Sequence, residues 1–126
     1  MGLLNGLLAN ASAIDATSAE QQLGRILLPG EDVHRAFAVL RDLFVFTSKR
    51  LILVDKQGLT GSKVAFVSVP YKSIRFFSVE TAGTFDLDSE MRIYVAGLPT
   101  PIQKQFPRGG TIYDVQMALA HYVTSS

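Results

Sequence analysis

The sequence predicts an all-β domain of seven short antiparallel strands, arranged as a barrel or sandwich, with a capping C-terminal α-helix. Short runs of β-branched and aromatic residues recur between turn signals from residue 33 to residue 106. An amphipathic helical pattern follows from residue 111. The chain has 126 residues, of which 48% are hydrophobic, which suffices for one core without disulfides.

The seven strands are predicted from alternating patterns and from continuous apolar runs. Alternation marks the first strand at 33–39, and unbroken apolar β-formers at 43–47 and 51–54 predict two strands that are covered on both faces. The four remaining strands are predicted at 64–69, 74–81, 91–95 and 102–106. Thr111 and Asp114 have capping-box spacing, so the C-terminal helix is expected to begin there.

The N-terminus is predicted to form two short helices outside this domain. Ala11 extends a helical stripe of four leucines, which are Leu3, Leu4, Leu7 and Leu8. Asp15 or Ser18 would begin a second helix that ends at Gly24. We therefore assign residues 1–22 to an N-terminal helical extension and residues 23–126 to the domain. Because that domain has a complete set of elements without the leucines, the stripe is expected to pack on an outer face, at a subunit or partner contact.

Composition excludes several classes of function. The net charge of +1 argues against nucleic-acid binding through bulk charge, and no apolar stretch is long enough to span a bilayer. The first cation is Arg25, and Asn5-Gly6 interrupts the leucines, a pattern that argues against a secretory signal. The chain has no cysteine, which predicts a reducing, cytoplasmic location.

Four stretches resemble the bacterial pleckstrin-homology (PH) domain family. They read F-V-F-T-S-K-R-L-I-L-V-D-K-Q-G-L-T-G (44–61), P-Y-K-S-I (70–74), F-S-V-E-T-A-G-T-F-D-L-D (77–88) and I-Y-D-V-Q-M-A-L-A-H-Y-V (112–123). The resemblance covers roughly residues 23–123. It implies a PH-like seven-stranded barrel or sandwich capped by the C-terminal helix, and assembly of copies into a closed ring. It implies no catalytic residue and no settled ligand.

Charge is unevenly distributed along the chain. Residues 48–75 hold one anion, Asp55, and six cations: Lys49, Arg50, Lys56, Lys63, Lys72 and Arg75. This segment therefore carries +5 and the rest of the chain −4, which predicts a directed electrostatic contact. The acidic stretch 80–90 contributes Glu80, Asp86, Asp88 and Glu90, which are expected to meet the cations of the next copy.

Two interpretations of the Lys49-Arg50 turn are open: an anion site, or a solvated or interface turn. Eukaryotic relatives of the fold hold phosphoinositide head groups with a basic loop between their first two strands. In this chain the connection between the first two predicted strands is short, and the negative charge of Asp42 offsets the positive charge of Arg41. The resemblance therefore does not imply a lipid site here. The Lys49-Arg50 turn is expected to be a solvated or interface turn, whose replacement barely alters stability.

Other site chemistries find less support in the sequence. Asp86, Asp88 and Glu90 alternate as in a calcium loop, but Met91 and Gly97 stand where that loop needs Gly and Glu, so no metal or other cofactor is expected. A weak anion-site candidate opens the C-terminal helix, at Arg108, Gly109, Gly110 and Thr111. The two histidines, His34 and His121, have no nucleophile nearby in the sequence, so no enzymatic activity is expected.

The sequence leaves two main hypotheses. The first is a non-enzymatic module that forms a cyclic homo-oligomer of more than two copies and binds a protein or other ligand. The second is a peripheral membrane adaptor that binds anionic lipid through the basic segment 48–75. An unrecognised hydrolase is a third and more distant alternative.

Overall fold

The computed structural model describes residues 11–57, 63–81 and 88–125. Within them the chain forms eight strands, two α-helices and one short 3₁₀ turn at Tyr71–Ser73. In chain order the elements are β1 (Ala11–Ile14), α1 (Ala16–Leu23), β2 (Val33–Val39), β3 (Asp42–Thr47), β4 (Arg50–Gln57), β5 (Lys63–Pro70), β6 (Ile74–Glu80), β7 (Ser89–Val95), β8 (Ile102–Phe106) and α2 (Thr111–Thr124).

The strands form two antiparallel sheets. The larger sheet has the order β1-β2-β3-β4-β5, and the smaller has the order β6-β7-β8. Neighbours in each sheet are consecutive in sequence, and they are joined by hairpin connections except for β1 and β2, between which α1 lies. The sheets form a sandwich rather than a closed barrel, so the predicted all-β fold with a C-terminal helix is confirmed in its sandwich form.

The main core lies between the two sheets and α2. Phe44 and Phe46 of β3 point into it from the larger sheet, Met91 and Ile93 of β7 from the smaller one, and Leu119 from the helix. All five side chains are at most 1% exposed. Helix α2 places its apolar stripe across the open side of the sandwich, because its apolar residues recur every three or four positions.

A second core covers the other face of the larger sheet. Val45, Ile52 and Val54 alternate with the residues of the main core and pack against Ala19 and Leu23 of α1. Strands β3 and β4 are therefore buried on both faces, which confirms the interpretation of their unbroken apolar runs. Helix α1 supplies the second cover.

The first strand corrects the helical assignment of Ala11. Residues Ala11–Ile14 pair with β2 in antiparallel register, with Ala11 opposite Val39 and Ile14 opposite Ala36. The long-range backbone hydrogen bonds offered by the edge of β2 outweigh a weak local helical pattern. The predicted leucine helix at residues 3–8 lies outside the described residues.

The predicted turn and helix signals mostly agree with the structure. Gly30 has a φ of +82°, and the backbone N–H of Glu31 donates to the carbonyl of Leu28 at 3.0 Å, as in a type II turn. Helix α1 ends just before Gly24, as predicted. The cap of α2 is different, because Gly110 takes the N-cap position and Thr111 is already helical. Neither described helix is long and apolar enough to cross a bilayer.

Candidate functional site

The two cations of the turn between β3 and β4 have different surroundings. Lys49 is exposed. Arg50 instead turns inward, where its Nε and Nη2 donate to the two carboxylate oxygens of Glu31, both at 3.0 Å. The same guanidinium donates to the carbonyl of Ile26 at 2.6 Å and to the hydroxyl of Ser68 at 2.8 Å. The side chain of Glu31 is fully buried and that of Arg50 is 20% exposed, so this is an internal ion pair.

Buried hydroxyl groups complete a polar network around this pair. The hydroxyl of Thr47 donates to Glu31 Oε2 at 2.5 Å and accepts the backbone N–H groups of Lys49 and Arg50, each at 3.0 Å. The hydroxyl of Tyr71 donates to the carbonyl of Thr47 at 2.7 Å. The network thus ties the turn to the loop before β2 and to the connection between the sheets. Its satisfied hydrogen bonds are what makes the burial of Glu31 tolerable.

The structure therefore revises the expectation that the Lys49-Arg50 turn can be replaced without consequence. Only Lys49 has the surroundings of a solvated turn residue. Arg50 holds the buried carboxylate of Glu31, and removing Arg50 would leave that carboxylate without its main partner.

The ion pair predicts a specific loss of stability in acid. Hydrogen bonds from Arg50 outweigh desolvation and lower the pKa of Glu31 from 4.5 to about 2. Because the folded pKa is the lower one, the unfolded chain binds more protons between these values, and stability falls as pH falls through this window. The shift corresponds to a contribution on the order of 3 kcal/mol that is fully present only above the unfolded pKa.

Urea unfolding of the wild-type chain and of Glu31→Gln at pH 6 and pH 3 measures this contribution. The wild type is expected to lose its advantage over the variant as the pH falls. A difference in unfolding free energy that is the same at both pH values would contradict the assignment, since glutamine cannot titrate.

The other cations of the basic segment fall into two groups rather than one patch. Arg50 lies opposite Pro70 in the β4–β5 pair, whereas Lys56 lies opposite Val64, six residues further along. At about 3.3 Å per residue the two ends of this hairpin are about 20 Å apart. Lys56 and Lys63 lie at one end. At the other end Lys49 immediately precedes β4, and Lys72 and Arg75 follow β5 in the chain.

The carboxylates near the Lys56 end are already engaged within the chain. Lys104 of β8, which the sequence analysis did not single out, contacts the carboxylates of Asp55 and Asp42, the latter at 3.6 Å. Asp42 also accepts the backbone N–H of Lys56 at 3.0 Å, and Arg41 donates to the carbonyl of Lys56 at 3.3 Å. Ion pairing between the sheets thus occupies the region next to the short β2–β3 turn, where the eukaryotic comparison would have placed a head group.

The acidic residues gather at the β6–β7 end of the smaller sheet. Glu80 lies directly opposite Glu90 in the strand pair, and Asp88 is exposed just before β7. Glu90 contacts Arg92 at 2.8 Å and also accepts from Gln103, so its charge is partly offset. Like charges opposite one another repel, which favours a cationic partner at this end. Asp86 lies outside the described residues, and the described His, Asp and Glu side chains form no group suited to a metal ion.

The helix-start candidate is formed by local backbone geometry. Arg108 is exposed and Gly109 has a φ of +132°, a value that favours glycine. The carbonyl of Gly110 accepts from the backbone N–H of Tyr113 at 3.0 Å. These features are those of an ordinary helix start and do not by themselves indicate a bound anion.

The two histidines contact one side chain of α2. His34 Nδ1 is 2.7 Å from the hydroxyl of Tyr122, and the ring of His121 meets the Tyr122 ring edge to face at 4.9 Å. Tyr122 also stacks on Tyr71 and Phe46, with ring centroids 5.0 and 5.7 Å away. The histidines therefore extend an aromatic cluster that holds the end of the helix on the sandwich.

Strand β5 leaves apolar side chains in water along a free sheet edge. It is the last strand of the larger sheet, and its Val64, Phe66 and Val67 are 40%, 44% and 37% exposed. A cleft of about 390 Å³ separates it from the β7–β8 turn. Its apolar lining includes Val67, Leu98 and Ile102. Long, apolar, uncovered edge strands are avoided in proteins that remain monomeric.

The sequence analysis predicted this strand but not its exposure. A single apolar run cannot show which strand of a sheet comes last. The same applies to Phe76 of β6, which is 57% exposed and stacks on Tyr94 at 4.1 Å. Exposure at these positions follows from strand order and not from residue type.

Comparison with known proteins agrees with this architecture. The family model described as Bacterial PH domain matches residues 2–123. The chain is 56% identical over 121 residues to the uncharacterized protein YjqA of Bacillus subtilis (strain 168), covering 95% of this chain and 97% of that protein.

Two solved structures are also similar over nearly their whole length. A pleckstrin homology domain from Shewanella amazonensis SB2B is 47% identical, with a TM-score of 0.83 and coverage of 97% of this chain and 98% of that one. A DUF1696 family protein with a pleckstrin-homology domain from Shewanella loihica PV-4 is 44% identical, with a TM-score of 0.77 and coverage of 91% and 98%. The matched length, the two-sheet sandwich and the capping helix together establish that this chain belongs to the bacterial PH domain family.

Proposed function

We propose that this chain is a non-enzymatic, cytoplasmic module that assembles head to tail into a closed ring and binds a protein partner on the assembled surface. The observation that carries the proposal is the edge of β5, which no described strand pairs with: Val64 and Phe66 are exposed on one face of it, and Val67 is exposed on the other, where it lines the apolar cleft. A strand edge of this kind gains backbone hydrogen bonds and buries apolar area when another chain pairs with it or packs on it.

Charge supports a contact between different surfaces of neighbouring copies. Lys49, Lys63, Lys72 and Arg75 are exposed and make no ion pair with another described residue. The acidic end of the smaller sheet has the opposite sign and an internal repulsion that a cation would relieve. A contact between unlike surfaces is heterologous, and it closes into a ring where the rotation between copies permits.

The alternative of a membrane adaptor has weaker support. Its cations are divided between two ends of the β4–β5 hairpin, and Arg50 is held by Glu31. Lys49, Lys72 and Arg75 remain as a smaller exposed group. Each cation near an anionic membrane surface contributes about 1 kcal/mol, so this group alone would give weak and strongly salt-dependent binding.

Light scattering after size-exclusion chromatography tests the proposal. The wild-type chain at tens of micromolar is expected to show the mass of more than two copies, whereas Phe66→Lys is expected to show fewer copies because it places a charge at an apolar contact. Leu40→Lys is the matched control, since Leu40 is 56% exposed on the β2–β3 turn, which β4 separates from β5. A monomeric wild type, or equal masses for all three chains, would refute the proposed assembly.

Sedimentation with vesicles separates the membrane alternative. Binding to vesicles that contain anionic lipid, abolished by higher salt and by a Lys49→Glu and Lys72→Glu double variant, would favour the adaptor function. We expect the protein to remain in the supernatant with both anionic and neutral vesicles.

A further inference from the structure

The outer face of α2 carries an apolar stripe that nothing in the described part of the chain covers. Tyr113 and Met117, one turn apart, are 55% and 66% exposed. They lie on the side of the helix opposite Val115 and Leu119, which are fully buried in the main core. Ala120 and Thr124 continue the same stripe, so it is uncharged along about three turns.

The chain itself supplies a segment that matches this stripe. Residues 1–10 lie outside the described part and contain no charged side chain, while their leucines recur at positions 3, 4, 7 and 8. This spacing would give one apolar face if the segment became helical. Eight helical residues, positions 1–8, extend about 12 Å, which covers most of the roughly 16 Å from Tyr113 to Thr124.

The start of the described chain lies close to α2. Residue Ala11 begins β1, and β1 contacts α2 as well as β2. A helix is about 10 Å wide, a distance that the three extended steps from Leu8 to Ala11 can cross. The leucines can therefore reach the outer face of the helix in their own chain.

We propose that the leucine stripe of residues 1–10 docks on the outer face of α2 in the same chain, against Tyr113 and Met117. Methionine suits such a contact because its unbranched thioether adapts to irregular apolar surfaces. The docked segment would cover α2, whose inner face already covers the main core. The inference goes beyond the proposed ring and does not depend on it.

Disulfide trapping in the full-length chain tests the contact. Because the chain contains no cysteine, Leu4→Cys with Met117→Cys places the only two thiols at the proposed contact. Under mild oxidation this pair is expected to close within one chain at least about tenfold faster than Leu4→Cys with Leu98→Cys. Leu98 is a suitable control because it is 52% exposed on the β7–β8 turn.

Each outcome of the trapping experiment bears on the proposal. Rapid closure that gives a product of monomer mass on a denaturing, non-reducing gel supports it. Covalent dimers as the main product of the Leu4 and Met117 pair would place a second copy on the stripe and overturn the same-chain contact. Equal rates for both pairs, or no closure at Met117, would also overturn it.

Fluorescence provides a second measurement, since the chain contains no tryptophan. In a Met117→Trp chain, the added changes Leu4→Asp and Leu8→Asp are expected to shift the emission to longer wavelength by exposing the indole to water. The mass in light scattering is expected to stay unchanged, which separates this contact from ring assembly. Unchanged emission would overturn the proposal whatever the oligomeric state.

Discussion

Replacing Arg50 with alanine is expected to lower the free energy of unfolding by about 3–5 kcal/mol, because it leaves the buried carboxylate of Glu31 without its main partner. Glu31 is 5% exposed and accepts both charged hydrogen bonds of the pair from Arg50. The substitution also removes the bonds from Arg50 to Ile26 and Ser68. Urea unfolding at pH 7 measures the effect as a shift in the midpoint.

Lys49→Ala is the matched control for this prediction. Lys49 is the neighbouring cation of the same turn but is exposed, so its removal is expected to change stability by no more than about 0.5 kcal/mol. Equal losses for the two variants would contradict the assignment of Arg50 as the structural partner of a buried carboxylate.

A double variant with Glu31→Gln and Arg50→Met tests the mechanism of the loss. It removes both charges and is expected to be less destabilised than the sum of the single changes, since neither partner is then left charged and unpaired. Additive losses would show that the two side chains do not act as a pair.

The surroundings of Arg50 could not be predicted from its position in the sequence. Arg50 and Glu31 are 19 residues apart, and they meet because the loop before β2 folds over the β3–β4 turn. Local pattern identifies a turn from its polar residues but carries no information on which distant segment covers it. The same limit applies to Lys104, whose partners Asp42 and Asp55 belong to the other sheet.

The central strands were predictable because their sequence reports burial directly. An unbroken apolar run such as that of β4 has no polar side to expose, so both of its faces need covers. The sequence does not say what those covers are. On one side the cover is α1, which the sequence analysis placed in an extension outside the domain. Strand β1 has only four residues. Its position beside β2 depends on pairing between distant segments, which local propensity does not determine.

The basic segment shows why sequence charge alone misjudges a candidate surface. Its net charge of +5 suggested one electropositive patch. In the fold a β-hairpin separates its members by about 20 Å, and one of them is buried in an ion pair. By contrast, the exposed apolar residues of β5, which carry the proposed function, became visible only when the strand order placed them at an edge.

Replacing Phe46 with alanine is expected to destabilise the chain by about 3–5 kcal/mol, the usual loss for a fully buried phenylalanine. The Phe46 ring is 0% exposed, contacts Phe37 edge to face at 6.1 Å and stacks on Tyr122 at 5.7 Å. It therefore joins the larger sheet to the end of α2, and its loss would open a cavity between them.

Phe76→Ala is the matched control. It removes the same number of atoms from a ring that is 57% exposed, so it isolates the effect of burial. Phe76→Ala is expected to cost less than about 1.5 kcal/mol, most of it from the stacking contact with Tyr94. Equal shifts of the urea midpoint for the two variants would contradict the assignment of Phe46 to the core.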